Sequence, residues 1–316
     1  MKPLIKLKAT VPNRAIEKSK SSFPESFLGC SPNKYRFFLA KIVNPGQTMQ
    51  KFIEDQDVLL YLPVNSLINI EISPIIEVEE SLLIPIPDKL EKNEALIAGS
   101  VALKLLNSLF QKGRFIEGDS VMIIGLSYQY TYILLQLVLS LNGTVFLVMN
   151  TAEEFDRIRV FLEQMNLSKC PLTLLLRSDL YYNQFLEKTN GLGIDIILDF
   201  LENHSDREMK EIIGLLAPNG RWVVSDSSLQ LNPPEIMSLF IRNATMGFNW
   251  EEIYGAFKFE IGKALNIIEE MMQFVVKRKV KIVMDGEFKG IEEWEKGVGF
   301  NEKKMLGSIV IYILEK

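Results

Sequence analysis

The first ninety residues are written in short apolar runs cut by Pro, Asn and Asp. KYRFFLAKIV (34–43) stops at NPGQ, and DVLLYLP (57–63), INIEISPIIEVEE (68–80) and LLIPIP (82–87) follow. Branched and aromatic residues in runs this short predict strands, and the alternation in PLIKLKA adds one near the N-terminus. Pro24, Pro32 and the serines around Ser19 to Ser22 predict a loose early loop. From Glu91 the apolar spacing lengthens to that of a helix, in EKNEALIAGSVALKLLNSLFQ, with Asp88 placed to help cap its start. Strands are then predicted at 120–125, 144–149, 171–176, 194–199, 220–225 and 243–248. Helices fall between them near 129–141, 152–165, 179–189, 205–216 and 233–241. In GLLAPNGRWVV, Pro218 and Gly220 are read as stopping a helix before a buried strand.

Six strands alternating with helices predict an α/β fold with a parallel, doubly wound sheet. After Trp250 the pattern gives a long helix near 256–276, a strand in VKIVMD, a helix at 290–298 and a strand in GSIVIYIL (307–314). That tail does not extend the parallel sheet and is read as returning to the β-rich first domain. The domains are therefore 1–90, completed by 255–316, and 91–254. No internal repeat or low-complexity segment is found.

Composition removes several functions. A chain of 316 residues, 47% hydrophobic with 24% charged residues, supports two cores, and a net charge of −5 argues against a broad nucleic-acid face. The one basic cluster, Lys277 to Lys281, reads as a solvated turn between a helix and a strand. Tyr130 to Met149 carries no charge, but Asn142-Gly143 divides it into a buried helix and a buried strand rather than a membrane span. Two cysteines far apart, Cys30 and Cys170, make no disulfide framework and favour a reducing compartment. A cytoplasmic location is expected. The basic start, MKPLIKLKATVPNRAIEKSKSS, leaves a mitochondrial alternative, and no secretory apolar segment is seen. The one histidine, His204 in LENHSDREMK, is read as a surface or capping residue, and no zinc-ligand spacing exists.

The order of FIEDQDVLLYLP, IPIPDKLEKNEALIAGSVALKLLNSL, IEGDSVMIIG, TNGLGIDIILD, LLAPNGRWVV, SSLQLNPPEIMSLFIRNATMGF and GSIVIYI resembles the medium-chain dehydrogenase/reductase superfamily. The likeness covers about residues 34–316 and lies with the zinc-free, zeta-crystallin-like quinone oxidoreductase branch. It implies a Rossmann domain wrapped by a GroES-like domain, here shortened. Active members move hydride from NADPH to quinones or conjugated carbonyls. They also dimerise through the last strand of the cofactor sheet, here Arg242 to Phe248.

The resemblance also implies where a cofactor would lie, and there this chain departs from the pattern. After the first Rossmann strand the family carries glycines that let a pyrophosphate reach backbone N–H groups. This chain keeps Gly125 and the small Ser127, but writes Tyr128, Gln129, Tyr130 and Thr131 next. The second strand ends at the neutral Asn150, and Arg157 on the next helix is within reach of a 2′-phosphate but reads more simply as a solvated helix arginine. Val101 stands where the family often has threonine, and Gly307-Ser308 where it often has Gly-Lys. Degenerate cofactor positions are thus Gly125, Ser127, Tyr128, Tyr130, Asn150 and Arg157. No catalytic residue or metal ligand is assigned. Tyr35 and Tyr61 read as core residues, and Asp195 and Asp199 as structural carboxylates.

These departures predict a catalytically inactive scaffold or subunit that binds protein partners, as a homodimer or within a larger assembly, with no cofactor. The alternative is an NADPH-dependent quinone or enal reductase with an atypical phosphate loop. A Rossmann-like methyltransferase, suggested by the cadence of DIILDFLENHSDREMKEIIGLLAPNGRWVV, lacks both the glycine-rich turn and an acid ending the second strand.

Overall fold

The computed structural model describes residues 4–12, 35–45, 51–63, 75–167, 169–177, 181–202, 204–289 and 308–312. Side chains at 4, 5, 8–12, 35, 36, 128, 129, 181, 285–289 and 308–312 fall outside the description. So do the predicted helix at 290–298, the early serine loop, Cys30 and Gly307. The chain forms two compact units. One comprises Met1–Leu103 with Glu251–Lys316, and the other Lys104–Trp250.

The first unit holds a seven-stranded sheet. Its strands are β1 (Leu4–Pro12), β2 (Tyr35–Asn44), β3 (Asp57–Tyr61), β4 (Ile75–Glu77), β5 (Leu83–Pro85), β12 (Met284–Lys289) and β13 (Ser308–Tyr312), in the order β12-β13-β1-β2-β3-β5 with β4 also on β1. The two C-terminal strands therefore join the sheet begun by the N-terminus, β13 lying antiparallel to β1. Alternation does the local work. Along β2, Phe38, Ala40 and Ile42 enter one core with Val58 and Leu60 of β3. Tyr61 is fully buried against Phe37, with ring centroids 5.2 Å apart, as its core reading required. Helices α1 (Lys92–Leu106), α7 (Ile253–Ala256) and α8 (Ile261–Arg278) supply the rest. At the end of α8 and just past it, Lys277, Arg278, Lys279 and Lys281 are all exposed, so the basic cluster is solvated as read, with its first two residues in the helix's last turn.

The second unit is built on six parallel strands: β6 (Ser120–Ile124), β7 (Thr144–Met149), β8 (Leu172–Leu176), β9 (Ile194–Asp199), β10 (Leu216–Val224) and β11 (Thr245–Phe248). Their order is β11-β10-β9-β6-β7-β8. The connecting helices are α2 (Tyr128–Ser140), α3 (Ala152–Gln164), α4 (Tyr181–Thr189), α5 (Asp206–Leu215) and α6 (Pro233–Ile241). The long uncharged stretch is a helix and a strand, as read. Tyr132 to Leu135 and Val145 to Met149 are buried, and Asn142 turns the chain at φ 59°. No helix among the described residues is long and apolar enough to cross a membrane.

One local reading is corrected. Pro218 and Gly220 do not separate α5 from a later strand. β10 begins at Leu216, directly after the helix, and Pro218 to Gly220 lie in its interior at a register shift between Leu216 and Arg221. Leu216 pairs with Ile194 before the shift, so the ladder captures the residues that local turn chemistry assigned to a stop.

The amino edge of this sheet is pinned by polar side chains. Asp195 accepts hydrogen bonds from the Ser120 backbone N–H at 2.9 Å and its hydroxyl at 2.6 Å, which locks β9 onto β6. The Arg221 guanidinium donates to the Asp195 carbonyl at 3.2 Å, the Arg114 carbonyl at 3.1 Å and the Asp119 carboxylate at 3.0 Å. Asp195 is thus structural, as its position suggested.

Candidate functional site

In open α/β sheets ligands sit outside the carboxyl ends of the strands, where the strand order reverses. Here the chain runs outward from β6 through β7 to β8, then crosses to β9 and runs the other way, so the reversal lies between β6 and β9. The turns after these strands carry most of the positions predicted from sequence.

Gly125 follows β6 with φ 72°, a backbone conformation that favours glycine. Its α-carbon is packed on the turn after β9: a Cβ there would lie 2.7 Å from Leu201 Cδ2 and 2.8 Å from the Leu201 backbone nitrogen. The two turns are also joined by the Phe200 N–H, which donates to the Ile124 carbonyl at 2.9 Å. The missing side chain therefore accommodates Leu201. Ser127 is exposed and precedes α2 without a capping bond from its side chain. Thr131, grouped by sequence with the replaced glycines, is buried, and its hydroxyl donates back to the carbonyls of Ser127 at 3.0 Å and Leu126 at 3.2 Å. Tyr130 is half-buried, and the Lys104 ammonium stands over its ring at 5.5 Å and over that of Phe200 at 5.6 Å. Lys104 was missed from sequence, because only the packing of α1's last turn brings it to these rings.

The far side of the edge is tied in a similar way. The Asn150 N–H, just past β7, donates to the Glu154 carboxylate at 2.7 Å. The Asn150 side-chain oxygen accepts from Arg177 at 3.3 Å. Arg177, held beside β7 by its N–H on the Met149 carbonyl, forms an ion pair with Glu208 in the first turn of α5. Glu208 also closes a capping box with Ser205. Burial opposes its charge, but the hydrogen bonds from Arg177 and Ser205 outweigh that and hold its carboxyl below the usual value. Arg157, which the sequence leaves between a 2′-phosphate contact and a solvated helix arginine, is paired with Glu153 one turn back on α3. The structure therefore brings Gly125, Ser127 and Tyr130 to one turn, and leaves Asn150 and Arg157 in separate internal pairs. Val101 is fully buried, with no hydroxyl to offer.

Sequence alone reads His204 as a surface or capping residue, but Ser205 caps α5, and the His204 side chain is only 1% exposed. Nε2 lies 2.8 Å from Asp199, and Nδ1 lies 3.4 Å from Asp226. Asp199, fully buried at the end of β9, also accepts from Trp222 Nε1 at 3.1 Å and from the Leu201 N–H at 3.1 Å. Asp226 accepts from the Ser228 hydroxyl at 2.6 Å and its N–H at 2.8 Å. A polar-looking stretch hides this histidine because β9 and β10 run in register, Asp199 opposite Val224, which sets Asp226 two residues beyond on the same edge. Two aspartates near the ends of successive strands, with one histidine between them in sequence, were the available signal.

No family model matches the chain. It is 25% identical over 244 residues to quinone oxidoreductase-like protein 1 of Mus musculus, covering 73% of this chain and 69% of that protein. An alcohol dehydrogenase superfamily protein from Novosphingobium aromaticivorans superposes with a TM-score of 0.75 at 16% identity, covering 99% of this chain and 92% of that one. The chain has the medium-chain dehydrogenase/reductase fold. Its sequence likeness is to quinone oxidoreductase-like proteins. A crystal structure described as an NAD-dependent alcohol dehydrogenase aligns at a TM-score of 0.72 and 14% identity, over 99% of this chain and 92% of that one.

In the medium-chain dehydrogenase/reductase fold, a dinucleotide at this edge would need free backbone amides behind small residues. Three of the positions that would meet it are engaged within the chain. Gly125 faces Leu201, the Asn150 amide faces a carboxylate, and Arg157 is neutralised by Glu153. The Tyr128 and Gln129 side chains lie outside the described residues. Among the described residues no group of three or more His, Cys, Asp and Glu side chains is placed to hold a metal.

Proposed function

We propose that this chain is a degenerate quinone oxidoreductase-like protein, a catalytically inactive scaffold or subunit that acts through protein–protein contact. What supports this most is the turn at Gly125, where the one retained glycine accommodates Leu201 of the neighbouring turn. The partner we favour is a second copy. β11 is an edge strand without a charged residue, and edge strands are commonly protected by charge. Helix α6, which leads into it, exposes Ile236, Met237, Phe240 and Ile241, and β11 itself exposes Phe248. A two-fold pairing of these edges would extend the sheet and cover that apolar surface. The paired segment is the shorter Thr245–Phe248, since Arg242 is turned back to the Leu216 and Ser238 carbonyls. The low cysteine count favours a cytoplasmic location, with a mitochondrial one as the alternative.

Thermal unfolding with added NADPH tests the reading. A ligand at a hundred times its Kd stabilises the native state by about 2.7 kcal/mol, so binding of ordinary affinity shifts the melting temperature visibly. No shift is expected at micromolar NADPH, and a clear rise would overturn the proposal. The second reading, an NADPH-dependent quinone or enal reductase, draws on the exposed Ser127 at the start of α2, where helix amides attract anions. It predicts NADPH oxidation when a quinone or enal is added, and an Arg157→Ala loss greater for NADPH than for NADH. The methyltransferase reading is disfavoured by the neutral Asn150 at the end of β7 and by the second sheet.

A further inference from the structure

The His204 ring sits between two acceptors. Asp199 already receives N–H groups from Trp222 and Leu201, and Asp226 receives the hydroxyl and N–H of Ser228. Each carboxylate is thus turned to accept, and each faces one ring nitrogen. A neutral imidazole carries one N–H, so it would leave a bare nitrogen lone pair facing a carboxylate oxygen. Only the doubly protonated ring donates in both directions. At 1% exposure no bulk water is available to relieve a mismatch, and an unsatisfied buried polar group is costly.

The two partners belong to different turns. Asp199 and His204 flank the turn after β9, and Asp226 opens the turn after β10. We propose that His204 is a proton-operated clasp: as an imidazolium it ties the turn after β9 to the turn after β10 at the carboxyl edge of the sheet, and loss of one proton releases the tie. Its consequence is a carboxyl edge that loosens toward alkaline pH whether or not a nucleotide binds there.

The surrounding charges are consistent with that sign. Asp199 and Asp226 meet the ring directly. On its own segment Glu202 is exposed, and Glu208 is engaged by Arg177. Across from α5, the buried Glu235 of α6 faces Lys210 at 3.8 Å, and Lys104 stands beyond the Phe200 ring. Burial opposes a charge on the ring, but the hydrogen bond and charge of Asp199, then those of Asp226, outweigh it. The imidazole pKa therefore lies above its ordinary 6.5. For a group raised on folding, the added stability is complete below the unfolded value and is lost as pH rises through the folded one.

The test uses the full chain labelled with 15N-histidine, whose single histidine makes the imidazole signal unambiguous. Both ring nitrogens should be protonated below the titration midpoint, and that midpoint should lie above 6.5. Amide exchange at Leu201 and Ser228 should accelerate across that midpoint. A midpoint at or below the ordinary value, or exchange that ignores the titration, would each overturn the clasp. Asp226→Asn keeps the shape and removes one charge, so the midpoint should fall. An unchanged midpoint in that variant would show that Asp226 plays no part.

Discussion

Replacing Gly125 with alanine places a methyl group where Leu201 already is. Two costs can be separated. The first is conformational: at φ 72° an alanine is disfavoured by roughly 1 kcal/mol relative to glycine. The second is contact. The new Cβ would lie 2.7 Å from Leu201 Cδ2 and 2.8 Å from the Leu201 backbone nitrogen. The leucine side chain can rotate away, but the nitrogen is held by its bond to Asp199 at 3.1 Å and by the adjacent Phe200–Ile124 bond at 2.9 Å. Crowding a packed interior in this way costs about 1–3 kcal/mol. The sum, about 2–4 kcal/mol, corresponds to a fall in melting temperature of roughly 4–16 °C for a unit of this size. Gly118 is the internal control, since it has φ 94° and open space where its Cβ would go. Gly118→Ala should therefore show the conformational cost alone. Thermal unfolding, with hydrogen exchange of the β6 and β9 amides to localise the loss, measures both variants. If Gly125→Ala costs no more than Gly118→Ala, Leu201 does not close the turn, and the main support for a blocked cofactor edge is gone.

Three further outcomes are expected. Phe240→Glu, at a side chain 78% exposed, should leave the melting temperature of the isolated chain nearly unchanged but convert a dimer to monomer in sedimentation velocity; an unaltered dimer would remove α6 from the interface. Glu208→Gln should cost about 0.5–1 kcal/mol near neutral pH, because the Arg177 pair is partly exposed. A carboxyl lowered on folding stabilises above its ordinary 4.5, and that stability is lost as pH falls through the folded value. The variant's acid unfolding curve should accordingly be flatter than the parent's, and parallel curves would refute the pairing. Arg221→Met removes the guanidinium shared by Asp195, Arg114 and Asp119, and leaves a buried carboxylate without its cation. Urea unfolding should show a loss of about 3 kcal/mol or more, and a loss below about 1 kcal/mol would show that the amino edge does not depend on it.

Most of the architecture was legible because element type is encoded locally. The helix from Tyr128, the strand from Thr144 and the break at Asn142-Gly143 could be read from apolar spacing and one turn signal. The departures at the glycine turn were equally plain, since Tyr128, Gln129 and Thr131 are visible without coordinates. Local reading failed where a distant partner outweighed it. Pro218 and Gly220 resemble a stop until β10 is seen to pair with β9 from Leu216 onward. Thr131 looks like a lost glycine until its hydroxyl is found bonded to its own turn.

By itself, then, the sequence determined the order of elements, the parallel sheet, the closing tail and the scarcity of glycine after β6. Periodicity and backbone freedom act over a few residues, so they can be read in place. Only the tertiary structure decided that Leu201 closes on Gly125, that Lys104 stands between two rings, and that His204 is buried between two carboxylates 27 positions apart. Those outcomes depend on which strand ends lie side by side, and that juxtaposition arises when the sheet buries its apolar faces as a whole.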